Sequence, residues 1–240
     1  MDAAHTIRNA VAEVSALRLE ALGNPALATG IATVKRFQAA RFNRTYADVL
    51  SAGPYKGAAR FFVDELYSGR DYTQRDAQFS RIAGALQTFF PKHVVATAVA
   101  LAQLHALTEE IDQEMGRVWI GGGASSTDET QRYMQVWCAV GRHEDRARQL
   151  ANVLEVGQEL DRLTRLPGLR LTLRMMRRPA QAAGLSSLQG FLENGFDTFG
   201  AMSGKGTGAR DFLALIKTRE SALIEALFSG DLNAVKASIR

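Results

Sequence analysis

A chain of 240 residues with 46% apolar and 22% charged side chains can bury one good core or two small bundles in contact, and its apolar content excludes a disordered chain. The single cysteine, Cys138, excludes an intramolecular disulfide and any cysteine-built zinc site. A formal charge of +4 points only weakly to an acidic partner, because the basic residues are mostly arginine and their excess is local. Apolar side chains recurring at the helical period predict helices over 3–22, 26–40, 43–52, 55–67, 73–90, 92–118, 127–142, 144–166, 168–183, 185–202 and 209–229, with a tail helix from 232. Pro54, Pro91 and Pro167 each stand where a helical pattern opens, where a missing N–H costs nothing. No alternating run is long enough for a strand. The expected fold is therefore all-α, a single bundle of about ten mostly antiparallel helices over 1–240, with a subdivision, if there is one, near 121–126.

Met1-Asp2-Ala3-Ala4-His5 lacks a basic segment followed by an apolar run, so no signal peptide is expected. The longest apolar candidate, Val94 to Leu107, is broken by Gln103 and His105 and falls short of the roughly 18 residues that span a bilayer. A cytoplasmic protein without a transmembrane segment is the expectation.

Residues 61–67 read Phe61-Phe62-Val63-Asp64-Glu65-Leu66-Tyr67. The stretch resembles the motif for which the FFLEELY-motif proteins of bacteria are named, with Val63 and Asp64 as departures. The resemblance extends through Ser68-Gly69-Arg70-Asp71 and the following helix. It implies a bacterial family and carries no established activity. In helical projection Phe61, Phe62 and Leu66 pack, Asp64 turns outward beside Arg60, and Glu65 points inward between the two phenylalanines.

Signatures of common helical enzymes are missing. Gly204-Lys205 has Phe199 where a P-loop needs glycine, and no strand precedes it. No glutamate has histidine three residues on, and His5, His93, His105 and His143 include no metal-binding pair. Neither a metal nor another cofactor is expected. Gly121 to Ser125 and Ser203 to Gly208 read as connectors, the first leading into a capping-box spacing at Ser126-Thr127-Asp128-Glu129. Cys138, beside Trp137, reads as a packed thiol.

The projection also finds charges where apolar side chains belong. Glu220 lies in the stripe of Phe212, Ile216, Leu223 and Leu227, Asp161 lies between Leu150 and Leu154, Arg18 between Ile7 and Val11, and Arg75 between Ile82 and Leu86. A buried lone charge is costly, so such groups pair between helices, bind a ligand, or sit at a helix end. Interhelical pairing, Arg18 or Arg75 with Glu65, Asp161 or Glu220, is the plainer reading, and a polar pocket is its rival. His105, Glu109 and Asp112, at i, i+4 and i+7, share a second face, where a carboxylate beside the imidazole would favour a general base or a proton switch. A solvated helix-edge ion pair is the alternative there.

Residues 162–178 hold six arginines and no acid, with Arg170, Arg174, Arg177 and Arg178 in one arc of a helix. Such a face suits an anionic surface or a phosphate backbone, or is neutralised by acids from another helix. Enzymatic activity is left open. Three functions follow: contact with a protein partner, the chain itself as a homodimer among them; a small-molecule or catalytic pocket in the bundle; and anionic-surface or nucleic-acid binding through the four arginines.

Overall fold

The computed structural model describes residues 2–65, 71–122, 126–203 and 208–239, with only the backbone of Ser203. The readings made above for Leu66, for Tyr67 to Arg70, and for most of the two glycine-rich connectors lie outside the described residues. Among those described there is no strand. In chain order the helices are α1 (Ala3–Leu22), α2 (Pro25–Thr45), α3 (Ala47–Ser51), α4 (Lys56–Glu65), α5 (Thr73–Phe89), α6 (Lys92–Ile120), α7 (Glu129–Val140), α8 (His143–Thr164), α9 (Leu169–Met175), α10 (Arg177–Ala182), α11 (Ser186–Ser203), α12 (Gly208–Ser229) and α13 (Leu232–Ser238).

Side-chain caps set several starts. Asp2 accepts from Ala4 and His5 N–H, Asn24 from Leu27, and Asp231 from Asn233 and Ala234, satisfying donors that a helix start leaves open. At α7 the cap is Asp128, which accepts from Thr130 and Gln131, so the Ser126–Glu129 capping box is not formed. Ser126 Oγ instead accepts from Asp128 N–H. The second helix runs past residue 40 to Thr45, because no breaker falls there, and ends at Tyr46. The segment expected over 168–183 is broken at Met176. Pro179 lacks the N–H that would reach back to Met175, so the ladder has a gap there.

The centre of the structure is α6. Against it α1 lies parallel, with Ala3 near Lys92 and Glu20 bonded to Arg117. In contrast α2 runs antiparallel to it, with Gly30 against Gly116 and Lys35 against Glu109. A Cβ on Gly30 would come within 2.7 Å of the Gly116 carbonyl oxygen, so only glycine permits this approach of two backbones. Also antiparallel, α5 lies on α1: Gln87 accepts from Ala4 N–H and Asp76 meets Arg18.

Three apolar clusters fill the interior. One joins Val34 and Phe37 of α2 to Met115 and Trp119 of α6, Tyr133 and Trp137 of α7, and Leu223 and Leu227 of α12. The next gathers Phe42, Tyr46, Phe62, Phe199, Phe212 and Ile216. The third is small, with Ile7, Ala10 and Val14 of α1 against Ala83, Ala102 and Ala106. Across the connector near 121–126, α6 packs on both α7 and α8.

By length and composition α6 is long and apolar enough to cross a membrane, with 28% of its most apolar window buried. The central helix of a helical bundle passes the same test.

Candidate functional site

Most of the charges placed in apolar arcs meet partners, and they do so at separate places. The largest group forms a seam where α1, α2, α4, α5 and α6 meet. Glu65, at the end of α4, accepts from Arg75 Nη1 at 3.1 Å. The Arg75 guanidinium also lies 3.9 Å from the ring centre of Tyr72 and 4.6 Å from that of Phe191, an arrangement in which aromatic faces support a cation. Its neighbour Asp76 is buried and lies 2.9 Å from Arg18 Nη1 and 3.0 Å from His105 Nε2. If His105 Nε2 carries the proton it donates to Asp76, and Arg18 Nη2, 3.5 Å from that nitrogen, is then a neighbour rather than a second donor.

Along α6 the seam continues one turn at a time. Lys35 Nζ reaches both oxygens of Glu109 at 2.7 Å. Gln38 donates to Asp112 at 2.9 Å, and Lys35 stands 3.9 Å from the same carboxylate. Asp112 is 3% exposed, so the solvated helix-edge account does not hold for it. The α2–α6 approach at Gly30 places Lys35 over Glu109, because both lie one to two turns along the same pair of antiparallel helices.

Two carboxylates of this seam are pushed in opposite directions. Burial acts to raise Asp76, but the His105 hydrogen bond and the charges of His105, Arg18 and Arg75 outweigh it, and its pKa falls below the usual aspartate range. Burial raises Asp112 above that range, against the attraction of Lys35, the Gln38 hydrogen bond and Arg146, and with Glu109 adding repulsion. Tyr133, buried nearby, is also raised by burial.

Glu220 belongs to a different centre. Arg41 Nη1 donates to it at 2.6 Å and Tyr46 Oη at 3.0 Å, all buried. Just outside, Arg219 joins the Thr45 carbonyl and both oxygens of Asp48, and its hydrogen bond holds the Asp48 pKa at about 2. Asp161 is in a third place. It pairs with Arg165 on its own helix at 3.0 Å, near the open end of α8, and reaches neither Arg18 nor Arg75. Its carboxylate keeps 21% of its side-chain surface, while Leu150, Leu154 and Leu160 of the same helix pack against the second apolar cluster.

The motif residues divide as projected where they are described. Phe62 is buried among Phe42 and Phe212, and Phe61 stacks on Phe191. Asp64 faces Arg60 at 3.7 Å on the surface. Cys138 is exposed rather than packed, though its thiol donates to the Leu227 carbonyl at 3.0 Å. Partial burial raises its pKa, which disfavours a nucleophilic thiolate.

Of the four arginines between 170 and 178, two are neutralised: Arg170 bonds Asp197 at 2.8 Å and Arg177 grips Glu193. Among the described residues Arg174 and Arg178 make no ion pair. The projection overlooked Asp76, Lys35, Arg41 and Arg146. Arg41 continues the buried row of Val34 and Phe37, and Asp76 precedes Phe79 and Ala83 on the inner face of α5, so helical spacing held a signal for both.

Among the described residues no group of three or more histidine, cysteine, aspartate or glutamate side chains could hold a metal. Two depressions, one along Ala3, Val95 and Val99 and one between Arg44, Asp48 and Ala222, are open and lie away from the seam. These features define an all-helical protein with ion pairs buried at its helix junctions. The chain belongs to the family described as a domain of unknown function, DUF8198, whose model matches residues 18–234. No curated protein and no solved structure matches it.

Proposed function

We propose that this is a non-enzymatic helical protein of the FFLEELY-motif type that works through protein contact, and that a second copy of the chain is one such partner. The observation that carries this reading is an apolar surface at the turn from α5 into α6. Phe89 is 80% exposed and Phe90 48%. A few residues further along the chain an open depression of about 300 Å³ is lined by Ala3, Val95, Ala96, Val99 and Ala100, with Thr6, Lys92 and Gln103. Two neighbouring phenylalanines in water form a surface that gains from being covered, and the mostly apolar depression offers them a seat on a second copy. A two-fold pairing would place the phenylalanines of each copy on the groove of the other, using one patch twice.

The pocket reading has less support. Glu65, Arg75 and His105 meet in the seam, but Glu220 closes on Arg41 and Asp161 on Arg165, so the five residues do not line one cavity. Light scattering on the full chain tests the proposal. The expected mass is twice 26.2 kDa at micromolar concentration, and Phe89→Ser/Phe90→Ser should give the single-chain mass with unchanged helicity. A wild-type protein that is monomeric throughout that range sinks the self-contact claim.

A further inference from the structure

The exposed side of α9 and α10 is built differently from the rest of the surface, and it is independent of the phenylalanine patch. The helical turn continues through Met176, whose N–H donates to the Thr172 carbonyl and whose own carbonyl accepts from Ala180 N–H. Projection at about 100° per residue therefore carries across the break. Arg170 and Arg177 fall on the edge towards α11, where Asp197 and Glu193 neutralise them. Further round come Arg174 and Arg178, which make no ion pair among the described residues. Arg174 adds to the field on Glu193 without bonding to it.

The same outward arc carries Leu171, 62% exposed, and Met175, 70% exposed, with Met176 at 48% beside it. Neighbouring charges reinforce the sign. Within 162–178 the six arginines meet the acids Glu159, Asp161, Asp197 and Glu193, which leaves two guanidinium groups in excess. Arg81 of α5 reaches the carbonyls of Ala183 and Gly184 at the end of α10, adding a third cation that makes no ion pair among the described residues.

We propose that the α9–α10 face docks on an anionic lipid surface, with Arg174 and Arg178 on the headgroups and Leu171 and Met175 at the acyl boundary. Charge complementarity selects the partner's sign. The exposed leucine and methionine select lipid over nucleic acid, because a phosphate backbone offers such side chains nothing to enter, and this arc has no aromatic ring on which a base could stack.

Flotation of the full chain with vesicles of roughly one part phosphatidylglycerol to three parts phosphatidylcholine tests this, with pure phosphatidylcholine vesicles and duplex DNA as comparisons. Binding to the anionic vesicles alone is expected. Arg174→Gln/Arg178→Gln should lower the partition by roughly 25-fold, about five-fold per charge. Arg174→Lys/Arg178→Lys should keep most of it, and Leu171→Ser/Met175→Ser should weaken it at unchanged charge. All are solvent-facing substitutions, and circular dichroism verifies the fold. The proposal is overturned by absence of binding to anionic vesicles. It is equally overturned by binding that neither the glutamine nor the serine variant alters, or by DNA binding that is lost in the glutamine variant and indifferent to the serine one.

Discussion

Arg41 and Glu220 keep 7% and 11% of their side-chain surface, whereas the seam is layered, with its cations Arg18 and Lys35 at 25% and 28% above carboxylates at 9% for Asp76 and 14% for Glu109. The long stems of arginine and lysine allow this layering, since the charged head reaches water while the chain covers apolar surface. The comparison separates two uses of interior charge. Arg41 and Glu220 are buried together, so removing either leaves the other's charge in the interior without its charged counterpart in this pair. In the seam each cation retains some solvent, so its charges can be changed one at a time.

The largest effect is therefore expected at the closed centre. Glu220→Ala strips Arg41 and Tyr46 of their shared carboxylate and should cost about 3–5 kcal/mol, read by urea denaturation. Arg41→Met/Glu220→Leu should cost much less than the single change. A double variant as unstable as Glu220→Ala would mean that packing, and not charge, holds this site together.

Asp76→Asn should come next, with a loss of about 1.5–3 kcal/mol at neutral pH, the range for a hydrogen bond to a charged group. Its sign follows from the lowered pKa of Asp76. The stabilisation is fully present above the ordinary aspartate value of about 3.9 and is lost as the pH falls through the lower folded value. The variant should thus approach wild-type stability in acid, and an equal deficit at pH 7 and pH 2.5 would contradict the assignment.

Asp112→Asn should have the smallest effect. Burial already disfavours its charged form, the cost of that form is present above the raised folded pKa and vanishes as pH falls through it, and an amide oxygen still accepts from Gln38. At neutral pH this variant should lose less stability than Asp76→Asn by thermal melting, and the reverse order would show that the Lys35 attraction dominates.

The helical course was readable because the apolar period continues across every long segment. Displacement of Glu65, Arg75, Glu220 and the His105–Asp112 row towards the interior was readable for the same reason. Of the partners, the Arg75–Glu65 pair was among those expected, whereas those of Arg18, Asp161 and Glu220 were not. Projection treats each helix alone, and it set Asp161 against other helices although it pairs with Arg165 just four residues on, while it passed over Arg41 and Asp76 although both lie on buried rows. It also placed Cys138 in the interior, where the turn of α7 brings it to the surface.

Sequence alone determined that the chain is helical, that its charges intrude on apolar stripes, and that Arg170, Arg174, Arg177 and Arg178 share one arc. Tertiary structure alone decided which carboxylates Arg18, Lys35 and Arg41 meet. Arg41 finds Glu220 across 179 residues of chain, and Lys35 finds Glu109 because Gly30 lets two backbones touch. Such pairings depend on helix approach in space, which helical periodicity along one element does not encode.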